Sequence, residues 1–214
     1  IAKGMAPVDV YKLSIPGTQA KETTIPVPQL SSTLQLTDDT SLEGFVQFKY
    51  RPTRLHPSGS YLSTTDMLGD GAEKFYIGNP TANRCGTASL PPPQRFSNCY
   101  LDYAGLDEGE KHRNVGFALN TRSDWLDADI GVYAIKYKDM SQIIQTNAAG
   151  GTYRLVAPSE PVKAIGVSLA KLVGDTNFGL EVSFRDGQPL AAKEAVITAA
   201  DPAYVSGKTA HLNL

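Results

Sequence analysis

The sequence predicts an all-β chain that forms about seven strands of a larger antiparallel transmembrane β-barrel, with short periplasmic turns and long extracellular loops. Three observations support this prediction. Apolar and polar residues alternate along three hairpins with long arms, short turns alternate strictly with long connections, and aromatic residues stand near strand ends. Short turns at one end and long loops at the other are typical of outer-membrane barrels.

Composition argues against several other classes. The chain has 214 residues, a formal net charge of −2 and a pI near 5.9. It therefore lacks the basic character of most nucleic-acid-binding domains. No apolar run approaches the roughly 18 residues of a transmembrane helix. The 19 glycines and 14 prolines are too few to indicate a disordered chain.

Residues 1–28 are predicted to be an irregular segment on the luminal or periplasmic side. Four prolines in it interrupt regular ladders, because proline has no backbone donor. Residues 8–13 are compatible with one short strand. The chain begins without Met and ends within an alternating pattern, so we expect a segment of a longer, processed precursor.

Residues 29–214 are predicted to carry the barrel strands, beginning with a hairpin at 29–51. Its first arm alternates from Leu30 to Leu36, residues 37–40 form a polar turn, and the second arm alternates from Leu42 to Tyr50. Phe45 is the exception, because its position lies on the polar face. Each arm has about ten residues, which matches the roughly 9–11 of a membrane-crossing strand.

Two more hairpins, 113–137 and 164–185, and a final strand at 209–214 continue the same alternation. In the second hairpin, Asp127 and Asp129 are expected in mid-strand, opposite an apolar stripe, as a wet interior would allow. The long loops fall at about 52–112, 138–163 and 186–206, and loops of such length are usually functional or disordered. An interfacial aromatic girdle is predicted from six residues: Tyr50, Trp125, Tyr133, Tyr137, Phe178 and Phe184.

A series of short motifs runs through the whole chain, including 7–10 (PVDV), 41–45 (SLEGF), 59–66 (GSYLSTTD) and 179–185 (GLEVSFR). In order and spacing, this series resembles a family of predicted outer-membrane proteins of Gram-negative bacteria, catalogued as domain of unknown function thirteen-oh-two. One departure is at residues 185–190, which read Arg-Asp-Gly-Gln-Pro-Leu where relatives tend to read Arg-Pro-Asn-Gln-Pro-Leu.

The resemblance implies a closed barrel in the bacterial outer membrane, of which this chain would be an internal segment. It implies handling of hydrophobic or amphipathic compounds, such as long-chain esters and sterols. The partners it implies are the outer-membrane bilayer, a periplasmic lipid-binding protein and an inner-membrane transporter of the resistance-nodulation-division type. It supplies no catalytic residues.

The polar faces of the predicted strands supply the candidate site, because they would line a lumen and select what passes. The alternative is a ladder of charges that stabilises neighbouring strands or packs a plug. The predicted lumen-lining residues are Glu43, Gln47, Lys49, Arg51, Asn114, Asn120, Asp127, Asp129, Tyr133, Glu181, Ser183, Arg185 and His211.

Cys85 and Cys99, the only cysteines, are predicted to form a disulfide in the first long loop. Closing a loop of about 15 residues in an oxidising compartment stabilises a fold by roughly 3 kcal/mol; two free thiols are the alternative. No metal site is predicted. The acidic cluster of the same loop does not have EF-hand spacing, so we interpret it as solvated charge. It consists of Asp102, Asp107, Glu108 and Glu110.

No catalytic motif is found, so an enzyme is not expected and no cofactor is predicted. The G-x-S-x-G, Walker A and Rossmann patterns are missing, and His56, His112 and His211 lie far apart in sequence. We therefore expect a barrel that passes or exports hydrophobic or amphipathic compounds. The alternatives are a surface interaction protein that binds through its long loop, and a soluble β-sandwich or other β-rich binding domain.

Overall fold

A computed structural model of the chain describes residues 6–76, 100–109, 113–147, 151–190, 196–198 and 205–214. In these ranges it contains two short helices and twelve strands. In chain order they are α1 (Val10–Leu13), α2 (Ala20–Thr23), β1 (Gln29–Thr37), β2 (Thr40–Gln47), β3 (Lys74–Tyr76), β4 (Tyr100–Asp107), β5 (Asn114–Ser123), β6 (Ala128–Tyr137), β7 (Ile143–Asn147), β8 (Thr152–Val156), β9 (Val162–Val173), β10 (Thr176–Leu190), β11 (Val196–Thr198) and β12 (Val205–Asn213).

Seven strands form one sheet, here called the long sheet, in the order β1-β2-β5-β6-β9-β10-β12. Every neighbouring pair is antiparallel. These are the seven strands that alternation predicted, so the all-β, mainly antiparallel architecture is confirmed. Six of them lie in the hairpins β1–β2, β5–β6 and β9–β10, and β12 adds the last edge.

The three hairpin turns lie at one end of the long sheet, called the turn end, because the strands are antiparallel and consecutive. The long connections leave from the opposite end, called the connection end. In the β9–β10 turn, Gly174 has a φ of 61°, a conformation that glycine adopts without steric cost. The predicted separation of short turns from long connections is therefore present in the fold.

The long connections are not simply loops, because parts of them form a second sheet with the order β11-β7-β8-β4-β3. β3 and β4 come from the first connection, β7 and β8 from the second, and β11 from the third. β4 pairs with β8 and β7 pairs with β11, both in parallel. The core of this sheet includes Leu101, Tyr153 and Leu155, and the Tyr153 hydroxyl donates to the Met67 carbonyl at 2.9 Å.

The N-terminal segment is irregular apart from its two helical turns, and residues 8–13 are not the short strand that their pattern allowed. Val10–Leu13 is helical because the Asp9 carboxylate accepts the Lys12 backbone N–H at 3.2 Å and caps the turn. Arg54 reaches the same carboxylate at 3.7 Å, which ties the segment to the first connection. Neither helix of the described ranges is long and apolar enough to cross a membrane.

Candidate functional site

The long sheet has an apolar face that runs unbroken across all seven strands. Across its middle, one row of directly paired residues is apolar on every strand. The row consists of Leu34, Leu42, Leu119, Val132, Val167, Val182 and Leu212. Six of these seven side chains are between 37% and 64% exposed. The next row on the same face adds Phe117, Ile165 and Phe184, each more than half exposed.

The opposite, polar face is the more buried one. Gln47, Asn114 and Ser183 are buried polar residues on it, and the buried residues Tyr137 and Val162 also face this side. A soluble antiparallel sheet normally packs its apolar face on the core and exposes its polar face. The burial of the long sheet is therefore inverted.

Most of the residues predicted to line a lumen share this polar face. Ten of the thirteen occupy strand positions there: Glu43, Gln47, Asn114, Asn120, Asp129, Tyr133, Glu181, Ser183, Arg185 and His211. Strand parity alone brings them together, because alternate residues of a strand point to the same side. That this face lines a lumen stays a prediction.

Lys49, Arg51 and Asp127 do not lie on the strands that were predicted to carry them. β2 ends at Gln47, and the Phe48 N–H still donates to the Pro28 carbonyl at 3.0 Å, in register with the last pair of the β1–β2 ladder. Lys49 and Arg51 follow the strand. Asp127 lies in the β5–β6 turn with a φ of 47°, a conformation that aspartate tolerates better than most residues.

The polar face opens at the turn end into a cavity of about 390 Å³, whose lining includes Asn120, Asp129 and Tyr133. Arg122 lies beside it and forms ion pairs with Asp127 at 2.9 Å and Asp129 at 3.8 Å. These charges are more than half exposed, so water screens them and they stabilise the fold only weakly. The turn end of this face is therefore polar and open to solvent.

Tyr133 is held flat against the polar face. Its hydroxyl and the Ser168 Oγ are 2.6 Å apart, which links β6 to β9 by a hydrogen bond. The ring folds back over Gly131, where a Cβ would stand 2.6 Å from its Cζ atom. Gly131 is therefore required for this ring position.

The connection end of the polar face carries a chain of hydrogen bonds, two of them buried, here called the polar junction. The Gln47 side-chain amide donates to Gln29 at 3.2 Å, and the Asn114 amide donates to the Gln47 carbonyl oxygen at 2.8 Å. The Asn114 carbonyl oxygen then accepts the Lys138 backbone N–H at 2.7 Å. The side chain of Lys138, completely buried, donates to the Glu108 carbonyl and so reaches the first connection.

Tyr50 lies beside this junction, with the Lys138 ammonium 4.5 Å from the centre of its ring. Burial raises the pKa of Tyr50 well above its usual range, and the nearby Glu108 and Asp139 carboxylates raise it further. The phenol is therefore neutral at physiological pH, and the cation–π contact helps to accommodate the buried ammonium.

Asp139 follows Lys138 and accepts hydrogen bonds from two further residues. It accepts the backbone N–H and the hydroxyl of Ser141 at 2.8 and 2.6 Å, and the Gln188 amide at 3.4 Å. Lys138, Asp139 and Gln188 were not predicted, because all three fell in stretches predicted to be long loops, although Gln188 lies in β10 of the structure. The sequence feature that could have indicated Lys138 and Asp139 is the Lys-Asp pair directly after β6, between Tyr137 and Met140.

Phe45 occupies the polar face as its position predicted, but its ring is partly buried. It packs with Ile135 against the buried cluster of Tyr137, Val162 and Ala164. The polar face therefore includes an apolar patch next to the polar junction.

The six residues predicted to form an aromatic girdle do not share one face of the long sheet, and the girdle stays a prediction. Phe178 and Phe184 belong to the apolar face and are more than half exposed, and Trp125 is exposed in the β5–β6 turn. The apolar-face residues of β6 have even numbers, whereas Tyr133 and Tyr137 have odd numbers. Their side chains therefore point to the opposite, polar face. Tyr50 follows β2 and lies beside the polar junction.

The acidic loop shows no metal geometry in the part of the chain that is described. Asp107 instead forms an ion pair with Arg154 at 3.0 Å and accepts the Gly109 N–H at 2.9 Å. Glu110 lies outside the described residues. So do Cys85 and Cys99, and their disulfide stays a prediction.

The chain was compared with known proteins. The family model described as "Protein of unknown function (DUF1302)" matches residues 1–214. No curated protein and no solved structure matches the chain.

Proposed function

We propose that this chain, which belongs to the DUF1302 family, is part of an outer-membrane β-barrel that passes or exports hydrophobic and amphipathic compounds. The observation that carries the proposal is the inverted burial of the long sheet, whose large apolar side chains are exposed on one face while Gln47, Asn114 and Ser183 are buried on the polar face. This arrangement is favourable in a lipid bilayer, because the exposed apolar side chains contact lipid tails there instead of water.

The height of the apolar face supports this proposal. On β9 the apolar residues Ile165, Val167 and Leu169 lie between Lys163 and Lys171 on this face. The eight residue steps between the two lysines span about 27 Å along the strand, which a tilt of roughly 35–45° reduces to about 20 Å of height, of the same order as the ~25 Å apolar band of outer-membrane barrels. Lysines at both limits suit the two water interfaces.

In the proposed barrel, both edges of the long sheet bond to further strands. Each of β1 and β12 pairs with one neighbour in the described ranges. An open edge carries unpaired backbone groups, which cannot remain unsatisfied in lipid.

The polar face would form the inner surface of the proposed pathway. At its turn end, Asn120 and Asp129 border an open polar cavity. At its connection end, the apolar patch around Phe45 lies next to the polar junction. An amphipathic molecule needs both surfaces. The junction is the proposed gate, because through Lys138 it joins the polar face to the first connection by a hydrogen bond that can be broken. A periplasmic lipid-binding protein and an inner-membrane transporter are the proposed partners.

Membrane fractionation of the native protein, with electrophoresis before and after boiling, tests the barrel. We expect recovery in the outer membrane and a band that shifts on heating, since folded barrels resist detergent until heated. Purified protein in vesicles should then accelerate passage of a fluorescent long-chain ester. Recovery as a soluble protein with an unshifted band would rule out both barrel and transport.

A second candidate function is supported by the second sheet. Its strands fold the connections into a defined surface that includes the exposed rings of Tyr76 and Tyr100, 5.4 Å apart. Exposed aromatic residues are common in recognition surfaces. In this second candidate function, the barrel only anchors the binding surface in the membrane. Replacing residues 52–112 by a short linker would then abolish cell-surface binding, while ester passage through the folded barrel continues.

A further inference from the structure

A row of charged residues borders the apolar face at the connection end, and is here called the lysine row. Lys136, Lys163, Asp186 and Lys208 are directly paired, in that order, across β6, β9, β10 and β12. Each lies two residues from an apolar-face position of its strand, so all four share that face. All four are exposed.

The lysine row carries an excess of positive charge. Three lysines and one aspartate give it a net charge of about +2 at neutral pH. Lys136 and Lys163 stand directly opposite each other, and like charges in that position destabilise a sheet. Asp186 is paired with Lys163 on one side and with Lys208 on the other. Lys136, at the end of the row, has no carboxylate next to it within the row.

We propose that the lysine row binds the phosphate groups of anionic lipid headgroups in the leaflet on the connection side. The inference rests on the proposed insertion of the long sheet in a membrane. A lysine at this level can lay its aliphatic stem along the apolar face and place its ammonium among the headgroups. A phosphate between Lys136 and Lys163 offsets their repulsion.

The two ends of the apolar face differ in the lysines that they present, and this difference indicates that the leaflet on the connection side binds the anionic lipid. At the turn end, the ammonium of Lys171 donates to the Leu126 carbonyl at 2.6 Å and is thus bonded to the neighbouring β5–β6 turn. At the connection end, three lysines on adjacent or next-but-one strands present their charges together. Anionic lipid is therefore expected to associate with the connection end.

The test uses the purified protein, refolded in phosphatidylcholine bilayers, with spin-labelled phosphatidylglycerol or phosphatidylcholine as probe. Electron paramagnetic resonance measures how strongly each lipid is immobilised at the protein surface. We expect a preference for phosphatidylglycerol that falls about fivefold for each lysine removed in K136Q, K163Q and K208Q. High salt should weaken the preference. D186N, which removes the negative charge, should strengthen it.

The matched control is the triple variant K12Q/K21Q/K74Q, which removes the same charge from exposed lysines outside the long sheet. An equal loss of preference in this control and in K136Q/K163Q/K208Q would overturn the proposal. So would equal immobilisation of both lipids by the unaltered protein. If the triple variant does not fold, the single variant K163Q supplies the same comparison.

The heat-shifted band distinguishes failure of the lysine row from failure of the proposed barrel. A shifted band without lipid preference overturns the lysine row and leaves the proposed barrel intact. A protein that gives no shifted band in bilayers overturns both.

Discussion

The ring of Phe45 covers Gly116, its directly opposed residue on the neighbouring strand, so that a Cβ on Gly116 would stand 2.8 Å from Cζ of Phe45. The same two strands repeat the arrangement on the other face, where Phe117 opposes Gly44 and a Cβ there would stand 3.3 Å from Cδ1 of the ring. Each ring shields a glycine backbone that has no side chain of its own. β2 and β5 are therefore joined by an aromatic–glycine pair on each face.

Replacing Gly116 by alanine is expected to destabilise the long sheet by about 1–3 kcal/mol, as overpacking does elsewhere. The Phe45 ring cannot yield easily, since it packs against the buried cluster that contains Tyr137. The matched control is Gly179→Ala on β10, where nothing lies within 4 Å of the new methyl group. Denaturant unfolding in detergent micelles measures both, and equal midpoints would contradict the packing described.

Leu119→Arg is expected to lower the free energy of unfolding in bilayers by about 2–4 kcal/mol, because an arginine would enter the middle of the surface that is proposed to face lipid. Ala118→Arg is the matched control. Ala118 lies on the polar face between Glu43 and Tyr133, so the expected change is within about 0.5 kcal/mol. Unfolding in lipid vesicles, followed by the heat-shifted band, gives both values. A reversed order would show that the polar face is the one in lipid.

Asn114→Ala should weaken the polar junction and increase passage through the proposed barrel. The buried Asn114 side chain bonds both Gln47 and the Lys138 backbone, and its loss leaves these groups without that partner. The expected destabilisation is about 1–3 kcal/mol. Ester passage into vesicles should rise above that of the unaltered protein. Asn120→Ala, at the open turn end of the same strand, is the control, and equal passage by both variants would count against a gate.

The second sheet should lose stability in alkali. Burial, with a smaller contribution from Tyr103, raises the pKa of Tyr153 to about 12, whereas an unfolded tyrosine titrates near 10. Below about pH 10 both states keep the proton, so this group adds no pH dependence. Between about pH 10 and 12 the unfolded state binds fewer protons, and the free energy of unfolding therefore falls as pH rises.

The ultraviolet absorbance of tyrosinate and near-ultraviolet circular dichroism follow this transition. Tyr153→Phe should remove part of the alkaline decline, and should lower stability at neutral pH by about 1 kcal/mol through the lost bond to the Met67 carbonyl. A decline of the same size in Tyr153→Phe and in the unaltered protein would contradict the assignment to Tyr153.

Much of the long sheet could be predicted because a strand has a side-chain period of two. That period identified seven strands and grouped residues as distant as Gln47 and Ser183 on one face. The period gave a wrong position for Lys49 and Arg51, because the strand ends before the alternation does. Alternation of side chains does not indicate where the backbone hydrogen bonds of a strand end. It also placed Asp127 in a strand, although the backbone there turns.

Sequence alone thus determined the strands of the long sheet and the chemistry of its two faces, since both depend on neighbours two residues apart. Only the tertiary structure decided how the connections fold. β4 and β8 come from different connections and pair in parallel, and Lys138 reaches Glu108 across the chain. Such pairings depend on where the long sheet places the ends of its strands, and no local period encodes that position.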